Sequence, residues 1–288
     1  MKREITTHRT DLSLDDVKRG DVLLSCGRGE FSNAIRLLDG GDYSHAAFCV
    51  GRDRRAGPKI VEATRKGVME NPLAPDITGQ EYVDVYRFTS DTGENFGSAG
   101  WPDAPVIARA HYYKDRRIQY AYDQLFMLSA LIMVRKAPLG KLGRANIRFW
   151  LDRMIRCLRD DLAGGKTQVT CAELVYRCFY EAEAIPTGKY GLSIRGTLGP
   201  DGALVKTLGQ ADKAIYPELD AETQQRLREA EDLFWKLCSG LHRNPEPESA
   251  LEAGLRSKAP NPNVYADLVT PRDLQMSSNL ELMGRLRG

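Results

Sequence analysis

The sequence predicts an α+β fold in which a small antiparallel sheet packs against helices. Three observations predict it. The first third of the chain holds short apolar or alternating runs between turn residues: 22–25, 43–51, 59–64 and 82–88. Such runs are the pattern of strands. The middle third holds longer runs with helical periodicity, 106–117, 123–136 and 145–162. Strands followed by helices, rather than alternating with them, point away from a wound parallel sheet.

The elements follow in order. Residues 14–17 are short enough for one helical turn after Ser13. Gly20-Asp21 leads into the apolar run Val22-Leu23-Leu24-Ser25, read as a buried strand. Phe31, Ala34, Ile35 and Leu38 share one helix face. The run YSHAAFCVG (43–51) is β-rich and apolar, which predicts a central strand. A charged loop with Gly57-Pro58 separates it from KIVEAT (59–64), and the two are expected to form an antiparallel hairpin. Gly67-Val68-Met69-Glu70 extends the sheet. Pro72 and Pro75 then mark a loop before the alternating strand YVDVYRF (82–88). Residues 90–105 are Gly- and Pro-rich and irregular. Residues 187–210 read as Gly-rich loop or hairpin, 221–237 as a charged amphipathic helix, and 243–263 as a Pro-rich surface excursion. The expected organisation is a single domain over 1–288, with a helical insert at about 90–165 and an elaborated region at about 187–265.

Composition narrows the function classes. The 288 residues carry 41 basic and 39 acidic side chains, a net charge of +2 that gives no pull toward nucleic acid. The longest apolar run, LFMLSALIMV (125–134), is too short to span a bilayer. It reads as a buried helix, with a membrane-surface or acyl-chain contact as the alternative. The first eight residues contain no apolar signal core. The expected location is therefore the cytoplasm, or export without a cleaved signal peptide. None of the six cysteines forms a C-x-x-C pair, so no structural zinc site, and no cofactor, is expected.

One stretch carries chemistry. In Thr170-Cys171-Ala172-Glu173, Thr170 and Glu173 have the spacing of a capping box. Apolar residues recur at Cys171, Leu174, Val175, Cys178, Phe179 and Ala182 on one helix face. Cys171 would thus be the first helical residue, where unpaired N–H groups and the helix dipole favour a thiolate. A thiol nucleophile needs a base. Of the four histidines, His8 lies in a polar terminus, His111 on a polar helix and His242 beside a Pro-rich loop. His45 alone sits inside an apolar strand, and Glu62 is a carboxylate inside the next one. A hairpin turn centred between Asp53 and Arg54 would set His45 opposite Glu62, close enough to fix the imidazole tautomer and stabilise imidazolium. A purely structural His–Glu pair is the alternative reading.

The ordered set Gly20-Asp21, Ser44-His45, Val61-Glu62-Ala63-Thr64 with Gly67-Val68, and Cys171-Ala172-Glu173-Leu174-Val175 resembles the circularly permuted papain-like cysteine hydrolases, the YiiX-like branch of the NlpC superfamily. Thr270-Pro271-Arg272-Asp273-Leu274 resembles the family's closing segment. The resemblance spans roughly 19–88, 120–185 and 268–278. It implies a permuted papain-like fold with Cys171 as nucleophile at a helix N-terminus, His45 as base and Glu62 as the orienting carboxylate. The Cys171 backbone N–H is a natural oxyanion donor. Tyr43, Tyr122 and Gln168 are candidates for a side-chain donor. The implied function is a cysteine hydrolase or acyltransferase working through a thioester on an amide or peptide bond. Its partner would be a peptide-, amino-acid- or acyl-containing substrate. A lipid-directed thiol acyltransferase or esterase is the second reading, because lecithin-retinol acyltransferase-like enzymes share the permuted fold. A non-catalytic binding module on the same fold is the third.

Overall fold

The computed structural model describes residues 10–29, 32–33, 35–36, 40–64, 66–90, 93–94, 96–120, 156, 168–183, 188–194, 221–226, 228–229 and 269–286. The strands are β1 (Asp11–Leu12), β2 (Val22–Gly27), β3 (His45–Asp53), β4 (Gly57–Thr64), β5 (Gly67–Pro72), β6 (Gln80–Phe88), β7 (Gln119–Tyr120), β8 (Gln168–Val169) and β9 (Leu280–Leu286). The helices are α1 (Leu73–Thr78), α2 (Ala104–Asp115), α3 (Cys171–Tyr180) and α4 (Pro271–Gln275). The helices expected at 123–136 and 145–162, and the Pro-rich stretch 243–263, lie almost wholly outside the described residues.

The fold class is α+β as expected, but the sheet is not small. It has seven strands in the order β1-β9-β6-β2-β3-β4-β5. Neighbouring strands are antiparallel except at one edge, where β1 runs parallel to β9. Two strands absent from the sequence reading, β1 and β9, enlarge it. Gly284 is what lets β1 approach. A Cβ there would lie 2.2 Å from the Thr10 carbonyl oxygen, which accepts a hydrogen bond from the Arg285 N–H at 2.9 Å. The strand ladder β2-β3-β4-β5 is built from consecutive antiparallel neighbours, so the apolar runs identified from sequence lie side by side.

Period-2 alternation sorts the side chains to two faces. Val22, Leu24, Ala46, Phe48, Val61, Tyr86 and Phe88 face a core shared with α2 and α3. Leu23, Ala47, Cys49, Ile60, Val83 and Val85 face a second core, closed by Val17 and by Leu73 and Ile77 of α1. The first core is rich in rings. Phe179 of α3 stacks on Phe88 at 5.5 Å and meets Phe48 edge-on at 5.4 Å. Each such pair adds about 0.5–1.5 kcal/mol beyond area burial, so α3 is fixed firmly over β3 and β6. A polar chain ties α3 to α2. Glu181 accepts hydrogen bonds from Arg109 Nε and Tyr113 Oη, each at 2.7 Å, and pairs with Arg177 at 3.0 Å.

The expected hairpin forms, with a different register. Glu62 stands opposite Ala47, not His45. The turn falls at Asp53–Gly57, and the pairing shifts between Cys49 and Gly51, which leaves Val50 as an extra residue. A bulge of this kind moves every later pair along the strand. His45 is thus the diagonal neighbour of Glu62 and still shares its face.

Candidate active site

The N-terminus of α3 is built as its sequence implies. Thr170 has extended backbone, and its hydroxyl accepts from the Glu173 N–H at 3.2 Å. The Glu173 carboxylate accepts from the Thr170 N–H at 3.1 Å. Its other oxygen takes Arg177 Nε at 2.7 Å. Glu173 is therefore committed to the cap and to Arg177. Cys171 follows the cap as the first helical residue and is only 3% exposed.

His45 begins β3, at the end of the sheet, where a helix from the opposite layer can reach it. Its Nε2 lies 2.7 Å from Glu62 Oε2. A side-chain hydrogen bond also joins it to Cys171. The structure thus brings Cys171, His45 and Glu62 into one hydrogen-bonded row. The row continues to Asn71 of β5, whose Nδ2 donates to Glu62 Oε1 at 2.8 Å. The His45 side chain is 22% exposed and Glu62 6%, so solvent reaches the row at the imidazole.

The electrostatics favour an ion pair. Burial pulls the His45 pKa down, but the Cys171 charge and hydrogen bond and the Glu62 hydrogen bond and charge outweigh it. His45 stands well above the ordinary imidazole value. Burial pushes Glu62 up, and its hydrogen bond and charge interaction with His45, with the Asn71 hydrogen bond, more than offset that. Glu62 is held below the usual carboxylate range. Both directions describe imidazolium beside carboxylate.

The oxyanion candidates fare differently. Tyr43 is fully buried, and its hydroxyl donates to Asp84 at 2.7 Å beside Tyr86 Oη at 2.9 Å. Burial pushes that phenol far up. Asp84 is itself clamped by Arg285 Nε and Nη2 at 2.6 and 3.0 Å. The Tyr43 proton is therefore already committed. Tyr122 lies outside the described residues. Gln168 pairs with Gln119 through the backbone of the small β7–β8 ladder, and its side chain lies outside the description. Sequence reasoning missed Asn71 because the strand extension was ended at Glu70. The strand in fact runs to Pro72.

Residues 16–126 match the model of a family described as permuted papain-like amidase enzymes, YaeF/YiiX, the C92 family. Over that segment the chain is similar to permuted papain-like amidases. The matched segment includes His45 and Glu62, while Cys171 lies beyond it. No curated protein matches the chain. Among solved structures, the chain is similar to the metalloprotein YiiX from Escherichia coli O157:H7. The two are 15% identical, with a TM-score of 0.43, over 92% of this chain and 95% of that one. Among the described residues of the present protein, no group of three His, Cys, Asp or Glu side chains could hold a metal ion. No helix among the described residues is long and apolar enough to cross a membrane.

Proposed function

We propose that the protein is a papain-like cysteine amidase or peptidase in which Cys171, His45 and Glu62 act together. The observation that carries this reading is the position of His45, hydrogen-bonded to Cys171 on one side and to Glu62 on the other. Glu62 occupies Nε2, which leaves Nδ1 as the nitrogen for the thiol. His45 takes the Cys171 proton, and the thiolate attacks the substrate carbonyl carbon. The Cys171 backbone N–H, at the positive end of the helix, stabilises the oxyanion. The tetrahedral intermediate collapses as His45 returns its proton to the leaving amine, and a thioester remains. Water, deprotonated by His45, then releases the acid. Glu62 stabilises imidazolium throughout, and Asn71 keeps Glu62 in place.

The test is alkylation by iodoacetamide at neutral pH, read by intact and peptide mass. Cys171 is expected to react first among the described cysteines, because Cys26, Cys49 and Cys178 are buried with pKa values pushed up by burial. His45→Ala should slow that reaction. Equal rates for wild type and His45→Ala would sink the proposal. A panel of peptide amides and acyl esters then assigns the bond that is cleaved.

A further inference from the structure

Three polar groups beside the His45–Glu62 pair have no role in the reaction proposed above. Ser25 of β2 pairs directly with His45 of β3 and with Val83 of β6, so its side chain shares their face. It is 3% exposed, and its Oγ has no hydrogen-bond partner among the described residues. Gln80 opens β6 opposite Gly27. Its side chain hydrogen-bonds Asp76 of α1, while its Oε1 is buried without a partner among the described residues. A carboxylate accepts, so the amide NH₂ is the end that meets Asp76 and Oε1 is left as a free acceptor. Gly27 makes room for this arrangement: a Cβ there would stand 3.3 Å from Gln80 Oε1 and 2.3 Å from Ser32 Oγ.

Asp76 completes the group. Leu73 and Ile77 anchor α1 on the same face of the sheet. From there the Asp76 carboxylate is repelled by Glu62 and attracted by His45, and neither lysine nor arginine among the described residues acts on it. A buried polar atom left without a partner costs about 1–3 kcal/mol. Two such atoms, with a carboxylate whose one cationic neighbour among the described residues is the His45 it shares with Glu62, form a set of acceptors awaiting donors. A primary ammonium offers three N–H donors and the missing positive charge.

We infer that Ser25, Gln80 and Asp76 form a subsite for the ammonium end of the substrate, a free α-amino group close to the bond that is cleaved. The substrate class is then a peptide or amino-acid amide with an unblocked N-terminus. This rests on reading Cys171, His45 and Glu62 as an amide-cleaving site. Burial and the Glu62 charge push the Asp76 carboxyl up, and a bound cation opposes both effects.

Calorimetry on the full-length Cys171→Ala protein tests the subsite without turnover. The probes are alanyl-alaninamide and its desamino analogue propionyl-alaninamide, which differ only in the ammonium group. The amine should bind at least about tenfold more tightly, as expected for charge-assisted hydrogen bonds. Asp76→Asn in the same background should erase the difference, and Ser25→Ala should reduce it. If Asp76→Asn lowers the melting temperature too far for titration, Ser25→Ala decides alone. Equal affinity for the two probes, no saturable binding of the amine, or an undiminished preference in the variants would overturn the inference. Failure of the proposed chemistry would show separately, as a wild-type Cys171 that reacts no faster than its His45→Ala counterpart.

Discussion

Glu62→Gln separates a working ion pair from a structural one. The substitution preserves shape and removes one charge. It abolishes a charge-assisted hydrogen bond of 2.7 Å to His45 Nε2 in a site where the carboxylate is 6% exposed. Bonds of this type are worth about 1.5–3 kcal/mol, so the imidazolium–thiolate state should lose about tenfold to a hundredfold in population. Iodoacetamide alkylation of Cys171 near neutral pH should slow accordingly. The alkaline limb of its pH profile, where His45 loses its proton, should move to lower pH. Stability should change with pH in a defined way. His45 is raised when folded, so its contribution is complete below pH 6.5 and fades as pH rises through the folded-state value. Glu62 is lowered when folded, so its contribution is complete above pH 4.5 and fades as pH falls through the folded-state value. The melting-temperature gap between wild type and Glu62→Gln should therefore be widest between pH 4.5 and 6.5 and narrow on both sides. Superimposable alkylation profiles would refute the coupling, and a gap that grows toward alkaline pH would refute the ion pair.

Three further outcomes follow from named contacts. Glu173→Gln keeps a residue able to complete the capping box but removes the carboxylate paired with Arg177. It should lower the urea midpoint while leaving the Cys171 alkylation rate close to wild type, whereas a loss matching Glu62→Gln would make Glu173 part of the reactive site. Phe179→Ala empties the ring cluster between Phe48 and Phe88 and should cost about 3–5 kcal/mol in chemical denaturation. Gly284→Ala drives a methyl against the Thr10 carbonyl. It should expose the β1 and β9 amides to faster hydrogen exchange, with β3 and β4 unchanged.

Much of the site was legible because it rests on local rules. Thr170 and Glu173 carry a capping box in their spacing, and that box sets where α3 begins. His45 and Glu62 stand out as polar residues in apolar runs, and such residues are rarely buried unless paired. Their register was misread by two positions: the turn falls later than the spacing suggests, which displaces the pairing, and the bulge at Val50 takes one position of that displacement back and returns both residues to one face. The pairing survived because diagonal neighbours keep to one face. Other features had no local signature. Pro75 read as a helix breaker, yet it stands in the first turn of α1, where its missing N–H costs nothing. In β9, Leu280 and Leu282 face the first core and Leu286 the second, because the pairing with β6 shifts at Met283 and breaks the alternation, and the strand's meaning lies in a partner far upstream. Ser25, Gln80 and Asp76 are ordinary polar residues until three elements converge on His45.

The position of β9 also bears on how the chain folds as it is made. It lies between β1 and β6, and its contact with the end of β6 joins residues 192 positions apart. Closing a loop of that length rather than one of a dozen residues adds about 2.5 kcal/mol of entropic cost. A ribosome releases β2 to β6 long before it releases β9. The strands bearing His45 and Glu62 can therefore pair early by short hairpins, while β6 keeps an open edge until the last strand arrives. During that interval the edge is a template for another chain. Slow translation of the middle of the protein would lengthen the exposure, and overexpression would punish it with aggregation before any defect in the finished site could be seen.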